Sequence, residues 1–543
     1  MHPRPVTDDT LMFLDARTLS AGEELEADIC IVGAGAAGIA LALELRSTPL
    51  KVLLVESGGL DFDHRSQLLY RGRSSGREYP ALQFTHRRQF GGTMRTWFGR
   101  CRPLDEMDFQ ERPFVPGSGW PFTRADLDPY YARAHTYCQL DRYDYDADHW
   151  PSAEGEQQKI ESAGLETKIF QFSPPTDFGK EYRGELARAS NIQVCLHANV
   201  KGMALDKALG RVSHARCLTL GGKAFTIKAG AFVLAAGGLE VTRLLLASDD
   251  VLSCGIGNQN DLVGRFFMEH PHIFSGVVTH YPPGFSQEFL KLNHEFVQTN
   301  LQMVKAIGIP EARMLQARVS NASAFFLYRP IHKTEDAYFS RDAASARRVA
   351  EVFQHAAEPS LHPIFSGSGL LRNSRSLLEL LARAVGHRLR RVYEPVLRIQ
   401  MESIPNPESR ITLSDKKDAL GNRQIDLHWQ LTQQDLESYC RFADLLHNGL
   451  RGLGFQIRDI RHDVDPEGWP VSMIPAKHQL GTTRMHRDPR LGVVDPDCRV
   501  HGVENLYVAS GSVFPTGGMA NPTLTIIALA VRLADHLKHK QSA

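Results

Sequence analysis

The two ends of the chain alternate short apolar runs with helical patterns, whereas its middle mixes apolar and polar positions. Residues 27–32 and 51–55 are β-branched apolar runs, each long enough for one buried strand. Residues 39–46, between them, are rich in Ala and Leu and predict a helix that Pro49 ends. The pattern therefore predicts a strand–helix–strand unit of a parallel sheet near the amino terminus.

Further along the chain, the same reasoning predicts elements at nine places. We predict helices at 124–140, 241–248, 434–452 and 522–537, and strands at 191–200, 231–235, 396–403, 411–413 and 505–509. In residues 271–330 the apolar and polar positions alternate imperfectly over short runs, which favours antiparallel strands. The middle of the chain is therefore expected to differ in architecture from the amino-terminal part.

The loop at residues 33–38 joins the first predicted strand to the first predicted helix. Gly33 allows a tight turn, Gly35 lets the backbone approach a pyrophosphate, and Gly38 lets the helix lie close to the strand. Glu56 follows the second strand, twenty-three positions after Gly33, where a carboxylate can accept the hydroxyl hydrogens of an adenosine ribose. A glycine-rich turn without a ligand is the alternative, but the order of strand, glycines, helix, strand and acid favours dinucleotide binding.

Two later glycine-bearing segments could approach the same ligand. Gly91 and Gly92 expose backbone N–H groups suited to a phosphate or a flat ring, or they form an ordinary loop. Ala236 and Gly237 stand between a strand and a helix. They mark either a second pass of the chain beside the ligand or simply another strand–helix unit of the sheet.

The last sixty residues carry the densest candidate chemistry. His478 begins a loop, and the strand at 505–509 runs into Ser510 and Gly511. Asn521 followed by Pro522 is typical of a helix start, with Asn as the cap and proline at the first helical position. We therefore expect Asn521 to lie where the helix presents free N–H groups and the positive end of its dipole.

Composition limits the possible classes of protein. A chain of 543 residues is expected to form two domains or one large discontinuous one, and its 62 basic and 62 acidic residues argue against a nucleic-acid partner. The eight cysteines include no C-x-x-C pair, so we expect free thiols and no metal site. No apolar run suits a signal peptide or a membrane span, and we expect a cytoplasmic protein. Residues 370–392 predict a basic helix, either a docking face for a membrane or an acidic partner or merely a solvated face.

These motifs together resemble the glucose–methanol–choline (GMC) flavoprotein oxidoreductases. The matching segments are 27–59, 91–93, 235–248, 405–410 and 478–537. The resemblance implies an α/β (α+β) fold, in which a Rossmann-like FAD-binding domain carries a second, mainly antiparallel-sheet substrate domain. We expect the FAD-binding domain to comprise residues 20–95, 190–270 and 475–543. The substrate domain would then comprise 96–189 and 271–474, with a helical insertion at about 331–395.

The resemblance also implies site residues. The family's active-site pair corresponds here to His478 and Asn521, forty-three positions apart. Thr96 stands where some relatives attach the flavin through a histidine, and no histidine lies between Gly91 and Trp97, so FAD is expected to bind non-covalently. The residues expected to contact FAD are Gly33, Gly35, Ala36, Ala37, Gly38, Glu56, Ser57, Gly91, Gly92, Thr93, Thr96, Val200, Ala236, Gly237, Ser510, Gly511, Asn521, Pro522 and Thr523.

The expected reaction is oxidation of an alcohol to a carbonyl by hydride transfer to flavin N5. Histidine suits the proton acceptor because its ordinary pKa is about 6.5, so we assign the base to His478. The substrate would be a sugar, a polyol or a secondary alcohol of a natural product, and the electron acceptor would be oxygen or another carrier. A non-redox lyase of the same fold, with structural FAD, and a protein that only carries FAD are the alternatives.

Overall fold

The computed structural model describes residues 13–285 apart from 207 and 209, together with 293–294, 303–331 and 392–542. The strands of these residues are β1 Phe13–Asp15, β2 Glu24–Val32, β3 Val52–Val55, β4 Gly72–Gly76, β5 Arg100–Cys101, β6 Glu166–Phe172, β7 Ile192–Leu196, β8 Asn199–Asp206, β9 Arg211–Leu218, β10 Ala224–Leu234, β11 Pro271–His280, β12 Asn293–His294, β13 Met303–Gly308, β14 Ala322–Ile331, β15 Val392–Met401, β16 Arg410–Lys417, β17 Arg423–Trp429, β18 Gln456–Asp459, β19 Ile474–Pro475 and β20 Leu506–Val508. The α-helices are α1 Ala36–Glu44, α2 His64–Gln67, α3 Glu106–Phe109, α4 Arg124–Tyr137, α5 Glu156–Ser162, α6 Phe178–Glu181, α7 Arg183–Arg188, α8 Gly238–Ala247, α9 Glu311–Ala317, α10 Gln433–Gly452 and α11 Thr523–Ser542.

The first sheet is the nucleotide-binding frame that the sequence predicts. Its strands lie in the order β1-β7-β3-β2-β10-β9-β8, with β20 beside β10. All neighbours from β1 to β10 pair in parallel, as does β20 with β10, whereas β9 and β8 are antiparallel. The carboxyl ends of β2, β3 and β10 therefore meet at one edge, where ligands bind in open parallel sheets.

Helix α1 shows why this frame is stable. Residues Ala37 to Leu43 are all buried, so the helix is apolar around its whole circumference and cannot face water. It packs against α7 and against the long carboxy-terminal helix α11. The two ends of the chain thus share one hydrophobic core.

The second sheet is mainly antiparallel, as the alternation in residues 271–330 predicts. Its order is β18-β11-β15-β14-β13-β6-β5, with β19 beside β11 and β12 beside β14. The pair β12–β14 is parallel, and the others are antiparallel. Helix α10 packs against β18, and its apolar face belongs to the core of this sheet. A three-stranded sheet, β16-β17-β4, joins residues 410–429 to residues 72–76.

The architecture confirms the predicted fold class, a Rossmann-like frame with a second, mainly antiparallel sheet. The predicted domain boundaries stay a prediction. The predicted insertion at 331–395 and the basic helix at 370–392 lie outside the described residues, apart from their ends. Ile331 ends β14, and β15 already begins at Val392, so the helix does not extend to that residue.

Three expected properties can be compared with the structure. All eight cysteines are free, six of them buried. In the part of the chain that is described, no three His, Cys, Asp or Glu side chains converge as a metal site would require. Within that same part, every helix is too short or too polar to cross a bilayer.

Candidate active site

The loop between β2 and α1 shows why two of its glycines are required. Gly33 has φ +110°, and a Cβ there would lie 2.6 Å from the carbonyl oxygen of Ala235. A Cβ on Gly38 would overlap the carbonyl oxygen of Gly33, so the helix lies directly on the loop. The close packing of strand and helix that the sequence predicts is therefore present.

Gly35 is different, because it faces open space. An ideal Cβ on Gly35 would meet no heavy atom within 4 Å. Gly91 donates its N–H to the carbonyl oxygen of Ala34 at 2.8 Å, and a Cβ on Gly92 would lie 3.0 Å from the Cα of Gly35. The paired glycines thus return to the first loop, with Gly35 left uncovered as a cradle for a phosphate group.

The side chains of Thr93 and Thr96 are exposed on the short turn that follows. Thr93 Oγ1 accepts the backbone N–H of Arg87 at 3.2 Å, and Thr96 Oγ1 donates to the Thr93 carbonyl at 3.3 Å. Their predicted contact with FAD stays a prediction.

Glu56 is buried at the end of β3 and holds the loop from the other side. Its Oε2 accepts the N–H of Ala34 at 3.1 Å. Its Oε1 accepts the N–H of Gly58 at 2.7 Å and the hydroxyl of Ser57 at 3.1 Å. The carboxylate that the sequence assigns to a ribose also shapes the glycine loop.

A cavity opens at the carboxyl ends of β2, β3 and β10. Four of the predicted cofactor residues line it: Gly33, Ser57, Val200 and Ala236. The cavity and the uncovered Gly35 lie at the edge where dinucleotides bind in open parallel sheets.

Three residues that the sequence analysis did not single out also line this cavity, namely Tyr70, Arg88 and Glu240. Arg88 forms a 3.2 Å ion pair with Glu240, and both side chains are 5% exposed. The Arg88 guanidinium also lies 4.7 Å from the centroid of the Tyr70 ring. A buried Arg–Glu pair needs its partners in place, so these residues give the cavity a rigid charged wall.

Residues 479–481 contact both the segment that carries Gly237 and Gly238 and the segment that carries Gly511. A Cβ on Gly238 would lie 2.6 Å from the carbonyl oxygen of Gln479, and one on Gly511 would lie 2.7 Å from Leu480 Cδ2. Gly481 donates its N–H to the carbonyl of Gly511 at 3.3 Å. The segments carrying Gly237 and Gly511 are thus neighbours through the chain that follows His478. Ser510 is buried, and its hydroxyl accepts the N–H of Ser512 at 3.2 Å.

His478 and Asn521, predicted as a pair, are in contact. Nδ2 of Asn521 lies 3.3 Å from Nε2 of His478. The Oδ1 atom of Asn521 is buried and has no hydrogen-bond partner among the residues that the structure describes. The pair thus leaves one acceptor oxygen available beside the imidazole.

The prediction that Asn521 caps the helix is wrong. Helix α11 begins at Thr523, and the Ile526 N–H donates to the Pro522 carbonyl at 2.9 Å, so Pro522 occupies the cap position. The amide of Asn521 turns instead toward His478. The tertiary contact therefore displaces the cap by one residue.

A second histidine contacts the first. Nδ1 of His270 lies 2.8 Å from Nδ1 of His478, and their rings meet edge to face with centroids 4.9 Å apart. The carboxylate of Glu269 accepts the backbone N–H groups of His270 at 3.0 Å, His478 at 2.5 Å and Lys477 at 2.7 Å. The buried carboxylate of Glu269 therefore fixes the backbone of both histidines.

Burial dominates the electrostatics of this cluster. It holds the pKa of His478 well below 6.5, and the neighbouring His270, Arg100 and Arg398 act in the same direction. Burial also lowers the pKa of His270 to about 4, although the negative charge of Glu402 opposes this shift. Both imidazoles are therefore neutral at neutral pH.

The pKa of Glu269 is shifted in the opposite direction. Burial raises its pKa to about 7, and the three backbone N–H groups partly offset that effect. Its hydrogen bonds are those of an acceptor, which a carboxylate makes best when ionised.

The antiparallel sheet supplies the remaining contacts. Gln400 on β15 lies 3.0 Å from Nε2 of His272 through its Oε1, and donates through Nε2 to the Met519 carbonyl at 2.5 Å. Glu402 accepts the N–H of Gly518 at 3.1 Å and forms a buried two-pronged pair with Arg112 at 2.7 and 2.8 Å. Residues 517–521 are thus held by the second sheet on one side and by the histidines on the other.

Glu269, His270 and His272 are site residues that the sequence analysis missed. Their signal was present, since three titratable residues stand within four positions (Glu-His-Pro-His) directly at the start of β11. No periodicity or spacing rule connects them to His478, which lies 208 positions further along the chain.

Comparisons with known proteins identify related families and enzymes. The profile of the GMC oxidoreductase family matches residues 405–530, and that of the FAD dependent oxidoreductases matches residues 28–253. The chain is 25% identical to 6'''-hydroxyparomomycin C oxidase of Streptomyces lividus, over 95% of this chain and 93% of the relative. It is 24% identical to 2-methyl-1,2-propanediol dehydrogenase of Mycolicibacterium austroafricanum, over 95% and 96% of the two chains.

The fold has counterparts among solved structures. The crystal structure of pyridoxine 4-oxidase from Mesorbium loti superposes with a TM-score of 0.60 at 18% identity, covering 94% of this chain and 99% of that one. The two family profiles cover the glycine loop and the segment from β16 to α11, which carries His478 and Asn521. Residues 28–253 therefore match an FAD dependent oxidoreductase domain and residues 405–530 a GMC oxidoreductase domain, and the chain is an FAD-dependent oxidoreductase that acts on CH–OH groups.

Proposed function

We propose that this enzyme oxidises a hydroxyl group of a sugar, a polyol or a related natural product to a carbonyl, with His478 as the general base. The observation that carries the proposal is the contact of His478 Nε2 with the amide of Asn521, 3.3 Å away in a buried cluster. The names of the full-length relatives support the substrate class, since one acts on an aminoglycoside and another on a diol.

His478 suits the removal of the hydroxyl proton. Its pKa is held well below 6.5 by burial, so the neutral imidazole predominates at neutral pH and its lone pair can accept a proton. The proton of the substrate hydroxyl would move to Nε2 of His478 as the carbon-bound hydrogen leaves as hydride. Bound FAD supplies the acceptor for that hydride at flavin N5.

Asn521 would hold the reacting oxygen. Its Nδ2–H group, which lies beside Nε2 of His478, can donate to the substrate oxygen as the hydroxyl proton moves to His478, and the amide stays uncharged in that step. The N–H groups at the start of α11 add a positive field at the end of the site nearest to Asn521.

FAD would lie along the predicted cradle without a covalent link. We assign its pyrophosphate to Gly35 and the facing Gly92, and its adenosine to the cavity lined by Gly33, Ser57 and Val200. No histidine occurs between Gly91 and Trp97 to form a covalent bond to the flavin. Denaturation should therefore release FAD into the supernatant.

The test is anaerobic reduction of the bound flavin by a panel of sugars, polyols and diols. At least one should bleach the flavin, and His478→Gln should slow this bleaching by about 10²-fold or more with FAD content unchanged. His64→Gln is the matched control, because His64 is exposed on α2. Unchanged bleaching in His478→Gln would overturn the assignment of the base.

The same experiment distinguishes an oxidoreductase from the alternative function, a non-redox lyase. A lyase would convert its substrate without any change in the flavin spectrum, whereas an oxidoreductase bleaches one flavin per carbonyl formed. Parallel assays with oxygen and with an artificial dye then identify the class of electron acceptor.

A further inference from the structure

We propose that His270 is a positioning residue, which fixes the tautomer of His478 so that the lone pair of His478 is on Nε2, facing Asn521. The inference rests on the proposed function, because it concerns the base of the same reaction. It follows from the hydrogen-bond capacities of three consecutive groups: the amide of Asn521 and the two imidazoles.

The two imidazoles share one hydrogen in their contact, because one nitrogen must donate it and the other must accept it. Nδ1 of His270 and Nδ1 of His478 are 2.8 Å apart, a hydrogen-bond distance. Both rings are neutral at neutral pH, so each has one N–H and one lone pair. The shared hydrogen therefore decides the state of the two outer Nε2 atoms.

The Asn521 end determines the direction of this hydrogen bond. Nδ2 of the amide carries only hydrogens and lies 3.3 Å from Nε2 of His478. Nε2 must then be the acceptor, which leaves the hydrogen of His478 on Nδ1. His478 consequently donates from Nδ1 to the lone pair of Nδ1 on His270.

The other end leaves this direction free. Nε2 of His270 is buried beside Gly517, where a Cβ would lie 3.1 Å from it. This nitrogen has no hydrogen-bond partner among the described residues, and the N–H of Gly518 is already used by Glu402. No donor of these residues therefore occupies Nε2 of His270, and its Nδ1 is free to accept from His478.

The two imidazoles lie along one short segment of the chain. Hydrogen-bond contacts lead from Asn521 through His478 to His270, and Nε2 of His270 lies beside Gly517 of the same segment. Glu269 fixes the backbone of both histidines, and Lys477 before His478 adopts φ +67°, an uncommon conformation for a residue with a side chain. The base is therefore set before a substrate arrives.

A neutral partner has a specific chemical consequence. A carboxylate hydrogen-bonded to the same nitrogen would also orient the imidazole, but its charge would raise the pKa of the base. His270 orients His478 without adding charge. When His478 accepts the substrate proton on Nε2, its Nδ1–H remains bonded to His270.

Two variants separate positioning from packing. His270→Asn places an amide oxygen near the position of Nδ1 and keeps an acceptor, whereas His270→Leu keeps comparable bulk and removes it. We expect the anaerobic rate constant of flavin reduction at saturating substrate to fall roughly 10- to 100-fold in His270→Leu. In His270→Asn it should recover to within a few-fold of the parent enzyme, with the KM of both variants nearly unchanged.

The direct measurement is the ¹⁵N spectrum of the oxidised holoenzyme labelled at its histidine nitrogens, without substrate. The signals of His478 are those that disappear in His478→Gln. We expect Nδ1 of His478 protonated and Nε2 unprotonated in the parent enzyme and in His270→Asn, and a mixture of tautomers in His270→Leu. Protonated Nε2 in the parent enzyme, or equal reduction rates in Leu and Asn variants, would overturn the proposal.

This test is independent of the proposed function. If His478→Gln reduces its flavin normally, the assignment of the base fails whatever the ¹⁵N spectrum shows. If His478→Gln is slow but Nε2 is protonated in the parent enzyme, the base assignment stands and the inference about His270 fails. Should His270→Leu not fold, the parent spectrum and the Asn variant still decide the question.

Discussion

The carboxylate of Glu402 accepts a 3.1 Å hydrogen bond from the backbone N–H of Gly518, and its two oxygens also accept hydrogen bonds from the guanidinium of Arg112. Glu402 directly follows β15, so this contact ties the antiparallel sheet to the segment that carries Asn521. The Arg112 and Glu402 side chains are 1% and 0% exposed. Neither charge can be solvated if the other is removed.

We therefore expect Glu402→Gln to lower the free energy of unfolding by about 3–5 kcal/mol, because it leaves a buried guanidinium without its counter-charge. Urea unfolding of the holoenzyme measures the change. The matched control is Glu437→Gln, which removes an exposed pair with Arg441 on α10 and should cost less than about 1 kcal/mol. Equal losses in the two variants would show that Glu402 is not a structural anchor.

Gly35→Ala tests the cradle without disturbing the fold. Gly35 has φ −88° and ψ −162°, which alanine adopts freely, and its Cβ would meet no atom of the protein within 4 Å. If a phosphate group lies against this glycine, the added methyl group excludes it. We expect a folded protein with at least about tenfold weaker FAD binding.

Gly452→Ala is the control for this variant, since its Cβ also meets open space but lies at the end of α10, remote from the cradle. Flavin absorbance per folded chain after dialysis provides the comparison. Full retention of FAD by Gly35→Ala would show that the pyrophosphate does not lie against this loop.

The pH dependence of kcat/KM reports the base of the free enzyme. Burial lowers the pKa of His478 well below 6.5, and a base is active when unprotonated. The acid limb that His478 contributes should therefore lie below the ordinary histidine pKa of about 6.5. The measurement is kcat/KM for flavin reduction between about pH 4 and 9.

His478→Gln provides the control for that profile, because its residual activity should lack this acid limb. An acid limb centred at or above the ordinary histidine pKa of about 6.5 in the parent enzyme would contradict the prediction.

Asn521→Ala should act on the chemical step more than on binding. Removing one hydrogen-bonding group from the reacting oxygen typically costs about 10²- to 10³-fold in kcat. We expect kcat to fall in this range while KM changes little, the behaviour of an interaction that strengthens in the transition state. Stopped-flow reduction over a range of substrate concentrations separates the two constants.

An exposed asparagine, Asn260, provides the control through Asn260→Ala, which should leave both constants unchanged. A rise in KM at constant kcat in Asn521→Ala would show that this residue only binds the substrate.

The sequence predicted the parts of the site that depend on local geometry. Gly33 and Gly38 are required by a turn and by the packing of a helix on that turn, and both requirements recur wherever this motif occurs. The contact of His478 with Asn521 was predicted through the family resemblance, not from spacing.

The parts that were missed depend on tertiary contacts. His270 meets His478 because β11 pairs with β19, the short strand that precedes His478, and Arg88 meets Glu240 across 152 positions. The displaced cap at Asn521 has the same origin, since a local preference yielded to a side-chain contact across the site. Sequence periodicity carries no information about such pairings.

The parallel pairing of β20 with β10 has a consequence for biosynthesis. Ribosomes make proteins from the amino terminus, and domains generally fold as they emerge. Here residues 506–508 complete the sheet that begins at residue 13, and α11 covers α1 near the other end of the chain. A nascent chain therefore cannot complete the first sheet until residues 506–508 and α11 have been made, and termination before them should yield a product that proteases remove.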